Sequence, residues 1–240
     1  MSGLGEIRMK MEPIQAARKV VSEQYPDCLL AVLGGSASRG EHNEHSDLDV
    51  IIVEREGEGL RRRTIEAAGW IVELFILSSS GYREDFDAGI VAANPTLQRI
   101  MAEGIVLCSV PEGEDIRGEA QADLDYGPLP LTMSDIDAAR YMITEYMMDL
   151  KQARGDGEAW FTVQKISTLL CEFVLRVNRQ WTGEGKTLFR LVSGFDPHFS
   201  ERLVQALEAM YRTRQSHQLM KLCEQVLLPY GGQLLVGYEE

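Results

Sequence analysis

The stretch LGGSASRGEHNEHSDLDVII (residues 33–52) decides how this chain is read, because it places a turn of small residues a fixed distance ahead of two carboxylates. The run CLLAVL (28–33) is apolar without a break and stops at Gly34 and Gly35, the pattern of a buried strand running into a tight turn. A helix is expected to start there. Gly34 and Gly35 let backbone approach a ligand closely, Ser36 can cap the helix, and free N–H groups at its start attract phosphate. Arg39 lies about one turn further on, where it can contact a phosphate or brace the loop.

Asp47 and Asp49 open a second apolar run, LDVIIV, in the i, i+2 relation that puts both side chains on one face of a strand. Two carboxylates so close repel each other unless a cation sits between them. Mg²⁺ suits the position, since it takes oxygen ligands and is commonly held by one or two carboxylates plus substrate phosphates. The later run WIVELFIL (70–77) is apolar except for Glu73 in its middle. An unpaired carboxylate is costly to bury there, which points to a metal or a reacting proton nearby, or to an ion pair with one of Arg61, Arg62 and Arg63. On a strand Arg62 faces opposite to the other two arginines, so one face of the trio can approach a triphosphate, although the three read first as solvated surface charge. Ser46 is placed to hydrogen-bond near the Asp47 backbone. His42 and His45 fall in the spacer and read as solvated loop residues rather than transition-metal ligands.

In order, Gly35-Ser36, a ten-residue spacer (37–46), Asp47-Leu48-Asp49 and the strand-borne Glu73 resemble the signature of the nucleotidyltransferase superfamily that includes DNA polymerase beta. Arg39-Gly40 and Ser46-Asp47 are similar to the bacterial small-molecule branch, the aminoglycoside and streptomycin adenylyltransferases, in which such a stretch precedes a helical domain. The resemblance implies an α+β fold: an N-terminal polymerase-beta-like domain, a small mixed sheet with helices, followed by an all-α helical bundle. It implies transfer of a nucleoside monophosphate, AMP from ATP, to a hydroxyl of a small acceptor, with two Mg²⁺ ions and release of pyrophosphate. Asp47, Asp49 and Glu73 then stand as the catalytic, metal-binding carboxylates, with Glu73 either a ligand or a general base. Gly34, Gly35, Ser36, Arg39 and Ser46 stand as nucleotide-binding residues. Some relatives build the site between two subunits, which leaves a homodimer open. Two other readings compete: a nucleotidyltransferase that adenylylates a partner protein, and a nucleotide-binding regulatory module without catalysis. Arg212 and His217 have the R-x4-H spacing of HEPN ribonuclease domains, the partners of minimal nucleotidyltransferases, but chance supplies that spacing readily.

Charge narrows the acceptor. Lys and Arg total 24 against 37 Asp and Glu, and neither half of the chain carries a basic platform, so a polyphosphate backbone is disfavoured as substrate. A cationic acceptor of aminoglycoside type suits this balance better. Cys28, Cys108, Cys171 and Cys223 are scattered with no CxxC pair, so neither a zinc site nor a disulfide framework is indicated, and a reducing cytoplasm fits. The N-terminus lacks a signal-peptide core, and no apolar run reaches the roughly 18 residues that span a bilayer, so no membrane partner is expected.

Along the chain, helices are expected over 13–24, 79–93 and 95–103, and strands over 28–33, 47–53, on either side of Gly69, and over 105–108 at an edge. Residues 109–131 are acidic, poor in apolar side chains and punctuated by Pro111, Pro128 and Pro130, which reads as a linker between a catalytic domain (1–108) and a helical acceptor-binding domain (132–240). Beyond it, helices are expected from a Ser134 cap to about 154, over 158–181, from Pro197 to about 214, and over 216–228. Tyr141, Met142, Tyr146, Met147 and Phe173 fall at helical spacing and read as core.

Overall fold

The computed structural model describes residues 10–239, and the chain divides into two compact units between Tyr126 and Gly127. The extreme N-terminus read above for a signal peptide, residues 1–9, lies outside the described residues. No helix among the described residues is long and apolar enough to cross a membrane.

The first unit is built on a five-stranded mixed sheet in the order β3-β4-β2-β1-β5, with β1 Leu30–Leu33, β2 Leu48–Glu54, β3 Arg61–Ala67, β4 Trp70–Ser78 and β5 Ile105–Ser109. Only β2 and β4 run parallel; the other neighbours are antiparallel. The innermost strands β1 and β2 are almost wholly buried, which is why their sequences are continuous apolar runs rather than alternating ones. Strand β3 sits at one edge and exposes its arginines. It returns into β4 through a two-residue turn in which Ala68 and Gly69 both have positive φ (52° and 84°), the combination a type I′ hairpin requires.

Alternation along the strands sends side chains to two different layers. One face (Ala31, Leu33, Leu48, Val50, Ile52, Val72, Leu74) packs on helix α1, Pro13–Gln24, through Ala16, Ala17, Val20 and Val21. The opposite face (Leu30, Val32, Ile51, Val53, Leu77) packs on Phe86, Met101 and Ile116 of helices α3 (Tyr82–Val91), α4 (Thr96–Glu103) and α5 (Pro111–Tyr126). By parity, Asp49 and Glu73 belong to this second face.

Helix α5 differs from the sequence expectation, which read this segment as linker. It buries one large apolar side chain, Ile116, with the small Ala120, and Gly113 lies so close to the Leu29 carbonyl that a Cβ there would overlap it. Arg117 completes the seat by donating to the carbonyls of Met101 and Ala102 at the end of α4 (both 3.1 Å). So little apolar surface, spread among acidic residues, leaves a faint periodic signal. The division between the units falls at Gly127, whose positive φ of 80° ends the helix ahead of the proline pair.

The second unit is helical: α6 Met133–Gln152, α7 Asp156–Val177, α8 Lys186–Phe195, α9 Pro197–Thr213 and α10 His217–Leu227, followed by a 3₁₀ turn at Leu228–Tyr230. Its core includes Ile143, Met147, Ile166, Leu170, Phe173, Leu203, Leu219 and Cys223. Three details depart from expectation. Helix α6 is capped by Thr132, not Ser134, in a reciprocal box: Thr132 accepts from the Asp135 amide (3.1 Å) and Asp135 accepts from the Thr132 amide (2.8 Å). Helix α7 stops at Val177 rather than 181, because Arg179 turns left-handed (φ 53°). The amides of Arg179 and Gln180 then bond back to Arg176 and Leu175, closing a Schellman motif. Helix α8 was not anticipated; it follows the Gly183 to Gly185 turn, where φ of Gly185 is 51°. Arg212 and His217 fall on different helices, α9 and α10, separated by a left-handed Arg214.

Candidate active site

Strand β1 ends at Leu33, and the chain turns through Gly34 and Gly35 into α2, a single helical turn Gly35–Ser38. Gly34 holds this turn to the sheet, its amide donating to the Asp49 carbonyl (2.8 Å), and its Cα faces α4 so closely that a Cβ would lie 2.5 Å from Ile100 Cγ2. Gly35 has a positive φ of 65°, and a Cβ on it would overlap Asp49 Oδ2. Both glycines are thus required by the approach of the turn to its surroundings, and for Gly35 the surrounding group is the carboxylate itself.

The position of Ser36 corrects the sequence reading. Gly34, not Ser36, is the N-cap, and the Ser36 hydroxyl faces Ser46 across the loop (Oγ to Oγ 3.4 Å). Ser46 in turn accepts from the Asn43 amide (2.9 Å), while its own amide donates to the Asn43 carbonyl (3.1 Å), so it pins a tight turn just before Asp47. Arg39 donates to Glu41 (3.0 Å), a half-exposed pair. His42 meets the edge of the Trp70 ring (5.8 Å between centroids), and the exposed His45 lies beside Glu44. Lys10 covers the same indole (4.1 Å) and donates to the Glu44 carbonyl (2.7 Å). Neither histidine joins an acidic cluster among the described residues.

Parallel pairing of β2 with β4 sets Asp49 directly beside Glu73, and Asp47 sits just ahead of β2. The result is that Asp47, Asp49 and Glu73 each offer a carboxylate oxygen within 4.8 Å of the other two. Asp47 is exposed, while Asp49 and Glu73 are partly buried. Three like charges at this spacing favour a cation strongly, and an all-oxygen donor set of carboxylates fits a hard divalent ion such as Mg²⁺.

Strand β3 supplies a neighbour that the sequence offered only as one of three. Arg62 forms an ion pair with Glu73 and lies over the Phe75 ring (5.0 Å). Its guanidinium is held above its usual range, chiefly by the hydrogen bond it donates to Glu73 and then by the charges of Glu73, Asp49 and Asp47. Arg61 instead pairs with Glu54, and Arg63 donates to Gln24 of α1 (3.1 Å). The alternation of β3 thus separates Arg62 from the other two, and the diagonal step between antiparallel strands brings it to Glu73.

Residues 14–95 match the family model of the nucleotidyltransferase domain. The matched segment contains the Gly34-Gly35 turn, Ser46, the whole carboxylate cluster and Arg62, and supports nucleotidyl transfer as the class of chemistry. Among solved structures, the chain is similar to a nucleotidyltransferase-like protein from Exiguobacterium sibiricum, at 13% identity and a TM-score of 0.46, over 90% of this chain and 74% of that one. No curated protein matches the chain.

Proposed function

We propose that this protein transfers a nucleoside monophosphate, AMP from ATP, to a hydroxyl of a small acceptor and releases pyrophosphate. The observation that carries the reading is the convergence of Asp47, Asp49 and Glu73 beside the Gly34-Gly35 turn. These three carboxylates would hold Mg²⁺, as one ion or two. A divalent ion held there would supply Lewis-acid activation of the acceptor hydroxyl and offset charge on the leaving pyrophosphate.

The chain's own residues do the positioning on which such chemistry rests. Gly34 and Gly35 keep the loop bare of side chains where the triphosphate would lie, and the Ser36 hydroxyl, held near Ser46, is placed to meet a phosphate oxygen. Arg62 steadies Glu73 through their ion pair and offers a second cation to the phosphates. Glu73 belongs to the ligand set by distance, which favours a metal ligand over a free base. Arg39 would bind phosphate only by leaving Glu41. We place acceptor choice with the helical unit, and the net charge of −13 suits a cationic acceptor of aminoglycoside type. A cytoplasmic protein that binds neither nucleic acid nor membrane, as monomer or homodimer, completes the proposal.

The test is transfer of label from ATP labelled at the α-phosphate, in Mg²⁺, to an aminoglycoside panel and to a cell extract, with Asp49→Asn as control. Aspartate-dependent label on a small molecule, lost on chelation by EDTA, is the expected result. Label on a protein band would replace the small acceptor with a protein one. Magnesium-dependent ATP binding without aspartate-dependent label on any acceptor would leave a regulatory module.

A further inference from the structure

Cys28 and Cys108 are 80 positions apart in sequence, yet their sulfurs lie 3.3 Å apart. Cys28 sits just before β1 and is buried, whereas Cys108 is on the edge strand β5 and is exposed. A disulfide needs the sulfurs at about 2.05 Å, so closure asks for a relative shift of about 1.2 Å. An exposed edge-strand side chain can supply it by rotation about χ1. Cys108 also lines a cavity of about 430 Å³ between α1 and β5, together with Arg18, Lys19, Ser22 and Tyr25. The cavity therefore holds an accessible thiol and two exposed cationic side chains, and that thiol touches the buried Cys28, which is not part of the lining. Among the described residues the lining carries these two cations and no carboxylate; Glu23, one turn on from Lys19, meets that ammonium at 3.9 Å from outside it.

We propose that Cys108 and Cys28 form a redox-active dithiol that reacts with an anionic low-molecular-weight disulfide seated in this cavity. Cys108, as thiolate, attacks one sulfur of the disulfide RSSR; that S–S bond breaks and one RS⁻ leaves with the electron pair, giving a Cys108–SR mixed disulfide. Cys28 then loses its proton to solvent and attacks the Cys108 sulfur, expelling the second RS⁻ and closing the Cys28–Cys108 bond. Two electrons pass from the protein to RSSR, which departs as two thiols carrying the two protons released. Arg18 and Lys19 attract the carboxylates of the incoming disulfide.

The order of the two steps follows from burial. Cys28 is pushed up to about 12, first by burial and then by its hydrogen bond with Cys108, so it is protonated at neutral pH and serves as the resolving thiol rather than the entry thiol. Cys171 and Cys223 are buried and also pushed up to about 12, mainly by burial, so they act as internal controls. The pairing is independent of the nucleotidyl-transfer reading, because neither thiol belongs to the carboxylate cluster.

The experiment treats the full-length protein with oxidised glutathione and follows it by intact mass and non-reducing peptide mapping. The expected product is a peptide pair linked through Cys28 and Cys108. Cys28→Ala should stop at one glutathionyl group on Cys108, and Cys108→Ser should remove both products. The double variant Arg18→Ala/Lys19→Ala should react roughly tenfold more slowly with oxidised glutathione. Its rate with the neutral bis(2-hydroxyethyl) disulfide should not change. Absence of both the linked peptide and the Cys108 adduct overturns the site. Reaction at Cys171 or Cys223 as fast as at Cys108, or an unchanged glutathione rate in the double variant, overturns recognition by the cavity.

Discussion

In the sheet unit, Asp47, Asp49 and Glu73 bring three like charges within 4.8 Å of one another, while in the helical unit the buried Arg140 meets groups that cancel it. Arg140 donates to Asp137 one turn earlier and to the Gly232 carbonyl (2.9 Å), and Gly231 lies close against its guanidinium. Its own carbonyl receives the Thr144 hydroxyl (2.7 Å), which accepts in turn from the Leu234 amide (3.1 Å). This polar set ties the C-terminal residues to α6. Arg140 is matched within the chain, whereas the three carboxylates, of which Asp47 is exposed, are met by Arg62 on Glu73 and keep an excess of negative charge that a cation from outside would offset. That difference is what a structural role for Arg140 and the proposed metal-binding role for the carboxylates would each require.

Removing one charge from each cluster gives the sharpest contrast. Asp49→Asn keeps shape and volume, so nucleotidyl transfer should fall about 10³-fold or more, as expected when a preorganised electrostatic group at a reacting centre is lost. The thermal midpoint should stay level or rise, because a like-charge repulsion has been relieved. A large loss of stability with transfer intact would break the comparison. Gly35→Ala probes the same cluster from the backbone side. The new methyl group must displace the Asp49 carboxylate, and an L side chain in the left-handed region costs about 1–2 kcal/mol. Denaturant titration should show a loss of that size, and the transfer rate should fall by more than the stability change explains.

Arg140→Met should behave in the opposite sense. It strips Asp137 and the Gly232 carbonyl of a charged donor, and a loss of about 2 kcal/mol is expected in urea titration. Binding of Mg²⁺ and ATP, measured by calorimetry, should be unaffected. Binding that fails in step with stability would show that the two clusters are energetically joined.

What could be read from the sequence was what adjacent residues determine. The strand-turn-strand of residues 28–53, the hairpin at Gly69 and the Pro197 start of α9 are written in local apolar runs, glycines and prolines, and the structure has each of them. The convergence of Glu73 on Asp47 and Asp49 was suggested by a lone charge in an apolar strand and now has a geometric basis in the parallel β2 and β4 register. What escaped depends on partners distant in sequence or on weak periodicity. Helix α5 shows only Ile116 and Ala120 to the core. Arg62 could not be told from Arg61 and Arg63 until β3 was set against β4. The nearness of Cys28 to Cys108 follows from β1 pairing with β5, which no spacing encodes. Serine favours the cap position, yet the helix starts two residues earlier, with Gly34 at the cap, because Gly35 has no side chain and so can enter the turn against the Asp49 carboxylate.

The cap of α6 gives the smallest effect and tests the contrast at the surface rather than in the interior. Thr132 and Asp135 satisfy one another's amides at the start of a 20-residue helix, so Thr132→Ala should cost about 1 kcal/mol, read as a lower urea midpoint. The Asp135 carboxyl is held below the usual aspartate range, first by the Thr132 hydroxyl and then by the Thr132 amide. A folded pKa below the unfolded one means that this contribution is fully present above about pH 4 and is lost as pH falls through the depressed folded value. Stability of the parent protein should therefore decline over that acid window, and the decline should be shallower in Thr132→Ala, where the carboxylate has lost the Thr132 hydroxyl. Equal slopes in the two proteins would mean that the box does not hold the carboxylate ionised, and that the helix start owes its stability to the packing of Ile136 and Ile143 instead.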